Sequence, residues 1–178
     1  METKRRAAGF LAGLSPGERA VFSRFSGVEL PAEPGGIEQA LAEAPAEPVA
    51  LLATAAARGA EEAPDLARRL GEAALGLARS REERQLAHVC LAQVHFRLRR
   101  DPGELAAFER HCAEAIELGH AGTFCYERLA ALYEYEGRYE EALRVCERAV
   151  RVLDEAGDVR SAGRFRRRLD RLRRKAPG

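Results

Sequence analysis

From Val49 onward, apolar residues recur three and four positions apart, the spacing that lines one face of a helix. Leu86, Cys90, Val94 and Leu98 step by four, and Leu105, Phe108, Cys112, Ala115 and Ile116 form the next stripe. The pattern predicts helices over about 48–58, 64–78, 81–99, 102–118, 122–136, 138–155 and 160–175. In the last of these, Ala162, Phe165, Leu169 and Leu172 make one apolar stripe and arginines cover the rest. Such a helix suits the end of an array: it closes the core and turns charge outward. Upstream, 3–13 can form a short helix. Ser15-Pro16-Gly17-Glu18 then starts another, with Ser15 as cap and Glu18 returning a hydrogen bond. The Pro- and Gly-rich stretch 27–36 is a linker, and a short helix over about 37–44 follows.

The predicted hairpins echo one another. Stepping back 34 residues from Leu132, Gly137, Cys146 and Ala149 lands on Leu98, Gly103, Cys112 and Ala115. A period of that length with two helices per unit marks stacked helix hairpins. The hairpin at 48–78 pairs more loosely, Ala67 and Ala74 matching Phe108 and Ala115 at an offset of 41. Two parts follow: a helical appendage and linker, 1–47, and a repeat array, 48–178, with a capping helix at 160–175. Leu132, Ala142, Cys146 and Ala149 are expected in one core.

Residues 126–154 resemble a tetratricopeptide repeat. Tyr126, Leu129, Tyr133, Gly137 and Tyr139 stand at the family's aromatic, leucine and turn-glycine positions, and Ala142 and Ala149 at its helix-packing alanines. Ala130, Cys146 and Asp154 depart from the usual glycine, aromatic and proline. The likeness is clearest over 122–154, looser over 86–119 and thin over 48–78. It implies an all-α, right-handed solenoid of antiparallel helix hairpins that holds a protein or peptide partner in a concave groove lined by the first helix of each hairpin. Carried over residue by residue, that groove would show Gln93, Arg97 and Arg100 from one repeat. From the next it would show Phe124, Glu127, Ala131, Glu134 and Tyr135. Some members grip a C-terminal carboxylate with basic residues on these helices. Here Arg128 fits that pattern, while Cys90 and Phe124 stand where a basic residue would help, so a peptide with both charge signs and an apolar anchor fits better. Separately, Leu14–Phe25 resembles the helical segment that follows the nucleotide-binding domain in large bacterial regulatory ATPases, which suggests a link to transcription regulators.

Composition agrees with an all-helical chain. Ala, Leu, Arg and Glu dominate the 178 residues, which suffice for a core without metal or disulfide. There is no Asn, and 27 Arg stand against two Lys, a bias that suits a GC-rich genome. Net charge is +1, so nothing draws the whole chain to nucleic acid. The distribution is uneven, however. Residues 29–65 hold eight acidic side chains and one basic, whereas 159–175 hold nine basic and one acidic. The second reading is therefore a regulator whose Arg167, Arg171 and Arg174 touch nucleic acid or another polyanion. No stretch is apolar enough to span a membrane, and no export cleavage site follows the short N-terminal apolar run. A cytoplasmic protein with reduced thiols is expected, and a homo-oligomer is left open.

Candidate chemistry is sparse. Gly13-Leu14-Ser15-Pro16-Gly17 has the form of a hydrolase elbow but lacks the strand that elbow needs. His88/Cys90 and His111/Cys112 suggest metal ligation, yet neither pair converges on one helix face. Glu134, Glu136, Glu140 and Glu141 surround a turn, where charge is ordinary. Phosphate-binding glycine loops are absent from the sequence. The expectation is a non-catalytic interaction protein without cofactor or metal.

Overall fold

The computed structural model describes residues 2–175. Among them lie α1 (Glu2–Ala12), α2 (Pro16–Ser26), α3 (Ile37–Glu43), α4 (Pro48–Gly59), α5 (Pro64–Leu77), α6 (Arg81–Arg97), α7 (Glu104–Glu117), α8 (Phe124–Tyr135), α9 (Tyr139–Glu155) and α10 (Val159–Lys175). A 3-10 turn at Pro34–Gly36 precedes α3, and the described residues contain no strand. No helix among them is long and apolar enough to cross a membrane.

Local chemistry sets most boundaries. Glu18 N–H donates to Ser15 Oγ at 3.3 Å and Ser15 N–H to Glu18 Oε2 at 2.8 Å, satisfying two donors that the helix leaves open. Ser80 and Glu83 repeat this arrangement at the start of α6, at 3.0 and 3.1 Å. Asp101-Pro102-Gly103-Glu104 has a similar make-up, yet the helix does not start at 102 as the apolar pattern predicts. Gly103 is left-handed, with φ 84°, so Pro102 and Gly103 lie outside α7, which begins at Glu104. Gly137, 34 residues on, is also left-handed, at 75°. It lets the Arg138 N–H turn back to the Tyr133 carbonyl at 2.8 Å and close α8, a conformation costly to residues with a Cβ.

The chain divides into two compact units, 1–111 and 112–178. In the first, Leu11 of α1, Phe22 of α2, Ile37 and Leu41 of α3, Leu52 and Ala56 of α4, Leu70 of α5 and Val94 of α6 belong to one core. The segment 1–47 thus shares a core with the helices that follow it. Alanines at 53, 55, 56 and 57 leave α4 slim enough for both α5 and α6 to pack on it. In the second unit, α9 packs against both α8 and α10. It buries Ala142, Cys146, Ala149 and Leu153, while α10 buries Ala162, Phe165, Leu169 and Leu172.

Four leucines depart from the expected stripes. Leu132 is half-buried, as is Leu98 one period earlier, and Leu86 is exposed. Leu105 is 39% exposed. The inward face of α7 runs instead through Glu104, Phe108, His111, Cys112 and Ala115. Leu105 is turned about 100° from Glu104, which takes the inward place because polar partners meet it there.

Candidate functional site

α10 is held by charge along both flanks of its apolar stripe. On one flank Arg166 pairs with Asp154, and Arg173 with Glu147 at 3.4 Å, both carboxylates on α9. On the other, residues 164, 168, 171 and 175 follow a helical i, i+4, i+7, i+11 row toward α8. Arg164 pairs with Glu127 at 3.1 Å. Arg168, Arg171 and Lys175 all converge on Glu134, at 3.0, 3.2 and 2.9 Å. The hydrogen bond from Lys175, then those from Arg171 and the charge of Arg168, hold the Glu134 carboxyl down at about 2 despite partial burial.

Beside this row an open cleft of about 470 Å³ lies between α8 and α10. Glu127, Arg128 and Ala131 line its α8 wall; Arg164, Phe165, Arg167, Arg168 and Arg171 line the α10 wall. Phe165 contributes little surface, being 2% exposed with the edge of Tyr126 against it at 6.2 Å. The Tyr126 hydroxyl donates to the His120 carbonyl at 2.9 Å, and burial raises it to about 12.

Of the residues expected in a groove, the structure gathers Glu127 and Arg128 on this cleft, together with Arg167 and Arg171 from the expected polyanion set. Tyr135 follows Arg128 and Ala131 at helical spacing on α8 and is 91% exposed. Glu134 is engaged by α10, its side chain 17% exposed. Phe124 is half-buried at the start of α8. Arg174 is exposed and donates to the Asp170 carbonyl at 3.1 Å. Gln93 is half-buried on α6, with Arg97 and Arg100 exposed at and beyond its end; all three belong to the first unit. The sequence reading names Glu127, Arg128 and Ala131 of this lining but not Arg164 or Arg168, whose row becomes visible only when the basic residues of α10 are sorted by helix face.

A second polar cluster lies inside the first unit. Arg68 donates to Glu104 Oε1 from Nε at 3.0 Å and Nη2 at 2.6 Å, and His95 Nδ1 lies 2.5 Å from Glu104 Oε2. His95 stacks on His111 with ring centroids 5.3 Å apart, and the Nδ1 atoms of His111 and His88 share a hydrogen bond at 3.0 Å. Burial first, then the neighbouring His95, His88 and Arg110, push His111 down to about 4. Its ordinary value is 6.5, so the unfolded chain takes up a proton there before the folded one does. Stability is full above pH 6.5 and is lost as pH falls toward 4, by about 2–3 kcal/mol at most. Denaturant unfolding between about pH 7 and pH 5, above the carboxylate range, should show this slope, and His111→Gln should flatten it. Burial also lowers His120, which adds a smaller slope of the same sign that persists in that variant.

Among the described residues, no group of three or more His, Cys, Asp or Glu side chains converges as metal ligands would. Cys90, Cys112, Cys125 and Cys146 are all free and buried. Hydrogen bonding with Cys125 and burial raise the Cys112 thiol, and burial raises that of Cys146 to about 11. The native protein should therefore react slowly with a thiol reagent, and all four cysteines quickly once denaturant is added. A fast native phase would mean that a core helix opens readily. No known protein-family model matches this chain, and neither a curated protein nor a solved structure does.

Proposed function

We propose that this protein is a non-catalytic interaction module built of tetratricopeptide-like hairpins, which takes a peptide segment of a partner protein in the cleft between α8 and α10. One observation carries the reading: residues 127, 128 and 131, which the resemblance puts in a peptide groove, line an open cleft. On this reading α8 is the first helix of a hairpin, and α10 is the capping helix that stands beside it where the first helix of a next hairpin would. The 34-residue recurrence supports it. Gly103 and Gly137 are both left-handed, Cys112 and Cys146 are both buried, and so are Ala115 and Ala149. The lining is rich in arginine, whose guanidinium groups suit the binding of carboxylates.

The polyanion reading draws on the same helix. It is the weaker of the two because Arg166, Arg168, Arg171, Arg173 and Lys175 are tied to carboxylates of α8 and α9. Selection from an unbiased peptide-display library against the full chain tests the groove. Binders should be recovered, and Ala131→Trp, which fills the cleft, should abolish their binding while leaving the helical circular dichroism intact. Binders indifferent to Ala131→Trp, or none at all, would overturn the reading.

A further inference from the structure

We propose that the occupant of the α8/α10 cleft is an acidic peptide segment, its carboxylates held chiefly by Arg167 of α10, beside Arg168 and Arg171, which share one carboxylate, and a non-polar side chain resting near Tyr135. The inference rests on the groove reading and adds the chemistry of the partner.

The charge balance of α10 differs between its flanks. Toward α9 it is even, Arg166 and Arg173 meeting Asp154 and Glu147. Toward α8 the cations Arg164, Arg167, Arg168, Arg171 and Lys175 meet the two carboxylates Glu127 and Glu134. Glu134 alone serves three of these cations, so each receives only a share of it. Arg167 lines the cleft with no carboxylate partner among the described residues. Arg128 adds a further guanidinium from the α8 wall.

Guanidinium forks bind planar carboxylates through paired, charge-assisted hydrogen bonds. A segment carrying several Asp or Glu side chains supplies the anions that this flank lacks. Glu127 on the α8 wall disfavours a continuous phosphate backbone, whose charges cannot be spaced to avoid it, whereas a peptide can present a neutral residue there. The volume admits a few side chains, too little for a duplex. Tyr135 offers an exposed ring on the cleft face of α8, a place for one apolar contact beside the charges. A partner of balanced charge would leave the α10 excess unmet.

The test uses the full chain and three labelled probes. One is a short peptide with glutamates flanking a single phenylalanine. A second has every glutamate replaced by glutamine, and the third is a single-stranded oligonucleotide of equal charge. Fluorescence anisotropy should show the acidic peptide binding, and its affinity falling as salt is added. The glutamine peptide should bind about tenfold more weakly or worse, and the Arg128→Gln/Arg167→Gln double variant should weaken the acidic peptide to a similar degree. Arg166→Gln/Arg173→Gln removes equal charge from the α9 flank and should change affinity less than about twofold. Equal binding of the glutamine peptide, lost in Ala131→Trp, would overturn the acidic assignment and leave the groove reading standing. An equal effect of the two double variants, or tighter binding of the oligonucleotide, would overturn the acidic assignment as well. Binding of neither peptide would overturn the acidic assignment, and the display selection decides the groove reading separately.

Discussion

Phe165→Ala should destabilise the second unit by about 3–5 kcal/mol, the range for removing a buried aromatic and leaving its cavity. Phe165 is 2% exposed and is the largest side chain α10 buries. Its ring takes the edge of Tyr126, which the hydrogen bond to the His120 carbonyl holds in place, so neighbouring groups are poorly placed to collapse into the space. Cutting the chain after Gly157 removes Ala162, Leu169 and Leu172 as well and bares a face of α9, so aggregation is the expected outcome. By contrast, Arg167→Gln/Arg171→Gln/Arg174→Gln should cost no more than about 1 kcal/mol, because Glu134 keeps Arg168 and Lys175 when Arg171 is lost. Urea unfolding of the three proteins checks the contrast. A Phe165→Ala midpoint equal to that of the parent would show that α10 is not anchored by its apolar stripe.

That contrast bears on function. If hydrophobic contacts fix α10, its arginines are spared from a folding role and can serve recognition. On the proposed reading, the ion pairs to Glu127 and Glu134 hold guanidinium groups in place beside the cleft. A preset fork loses less side-chain entropy when a carboxylate arrives than a freely rotating one would.

Much of this architecture was legible in the chain. The helix boundaries at 48, 64, 81 and 139 follow proline, serine or glycine signals whose physics is local, so no tertiary information was needed. Failures came where tertiary polar contacts overrode the apolar pattern. Leu105 reads as core by spacing and is exposed, because Glu104 finds Arg68 and His95, one 36 residues away in the chain. Asp101-Pro102-Gly103-Glu104 resembles the cap of α2 in composition, yet Gly103 adopts the left-handed conformation and delays the helix. The cleft was half legible. Its α8 wall came from a resemblance, whereas the α10 wall depends on which arginines face α8, and a run of arginines does not announce its face. The basic run at 159–175 suggested a polyanion surface. The structure shows that six of its side chains reach back to carboxylates of the same unit.

Removal of the Glu104 carboxylate should be nearly as damaging as the loss of Phe165. Glu104 is 8% exposed and accepts hydrogen bonds from both Arg68 and His95. With the carboxylate ionised, His95 Nδ1 must be the donor, which fixes the tautomer of a ring stacked on His111. Glu104→Ala strands these donors in a largely buried site and should cost about 2–4 kcal/mol. That is somewhat below the usual loss for breaking a buried pair, since Arg68 keeps Asp65 at 2.8 Å and Asp101 at 3.7 Å. Asp101→Ala, at an exposed position, should change stability by less than about 0.5 kcal/mol. The pH dependence gives an independent check. Burial pushes the Glu104 carboxyl up, but the hydrogen bonds and charges of His95 and Arg68 outweigh it, leaving the group below its ordinary 4.5. A lowered carboxyl contributes stability that is full above pH 4.5 and is lost as pH falls through its folded value. The gap between parent and Glu104→Ala should therefore be widest near about pH 7 and should narrow below about pH 4. A gap that stays constant across that range would mean that the side chain acts through packing alone, and that the Arg68–Glu104–His95 network adds no net stability.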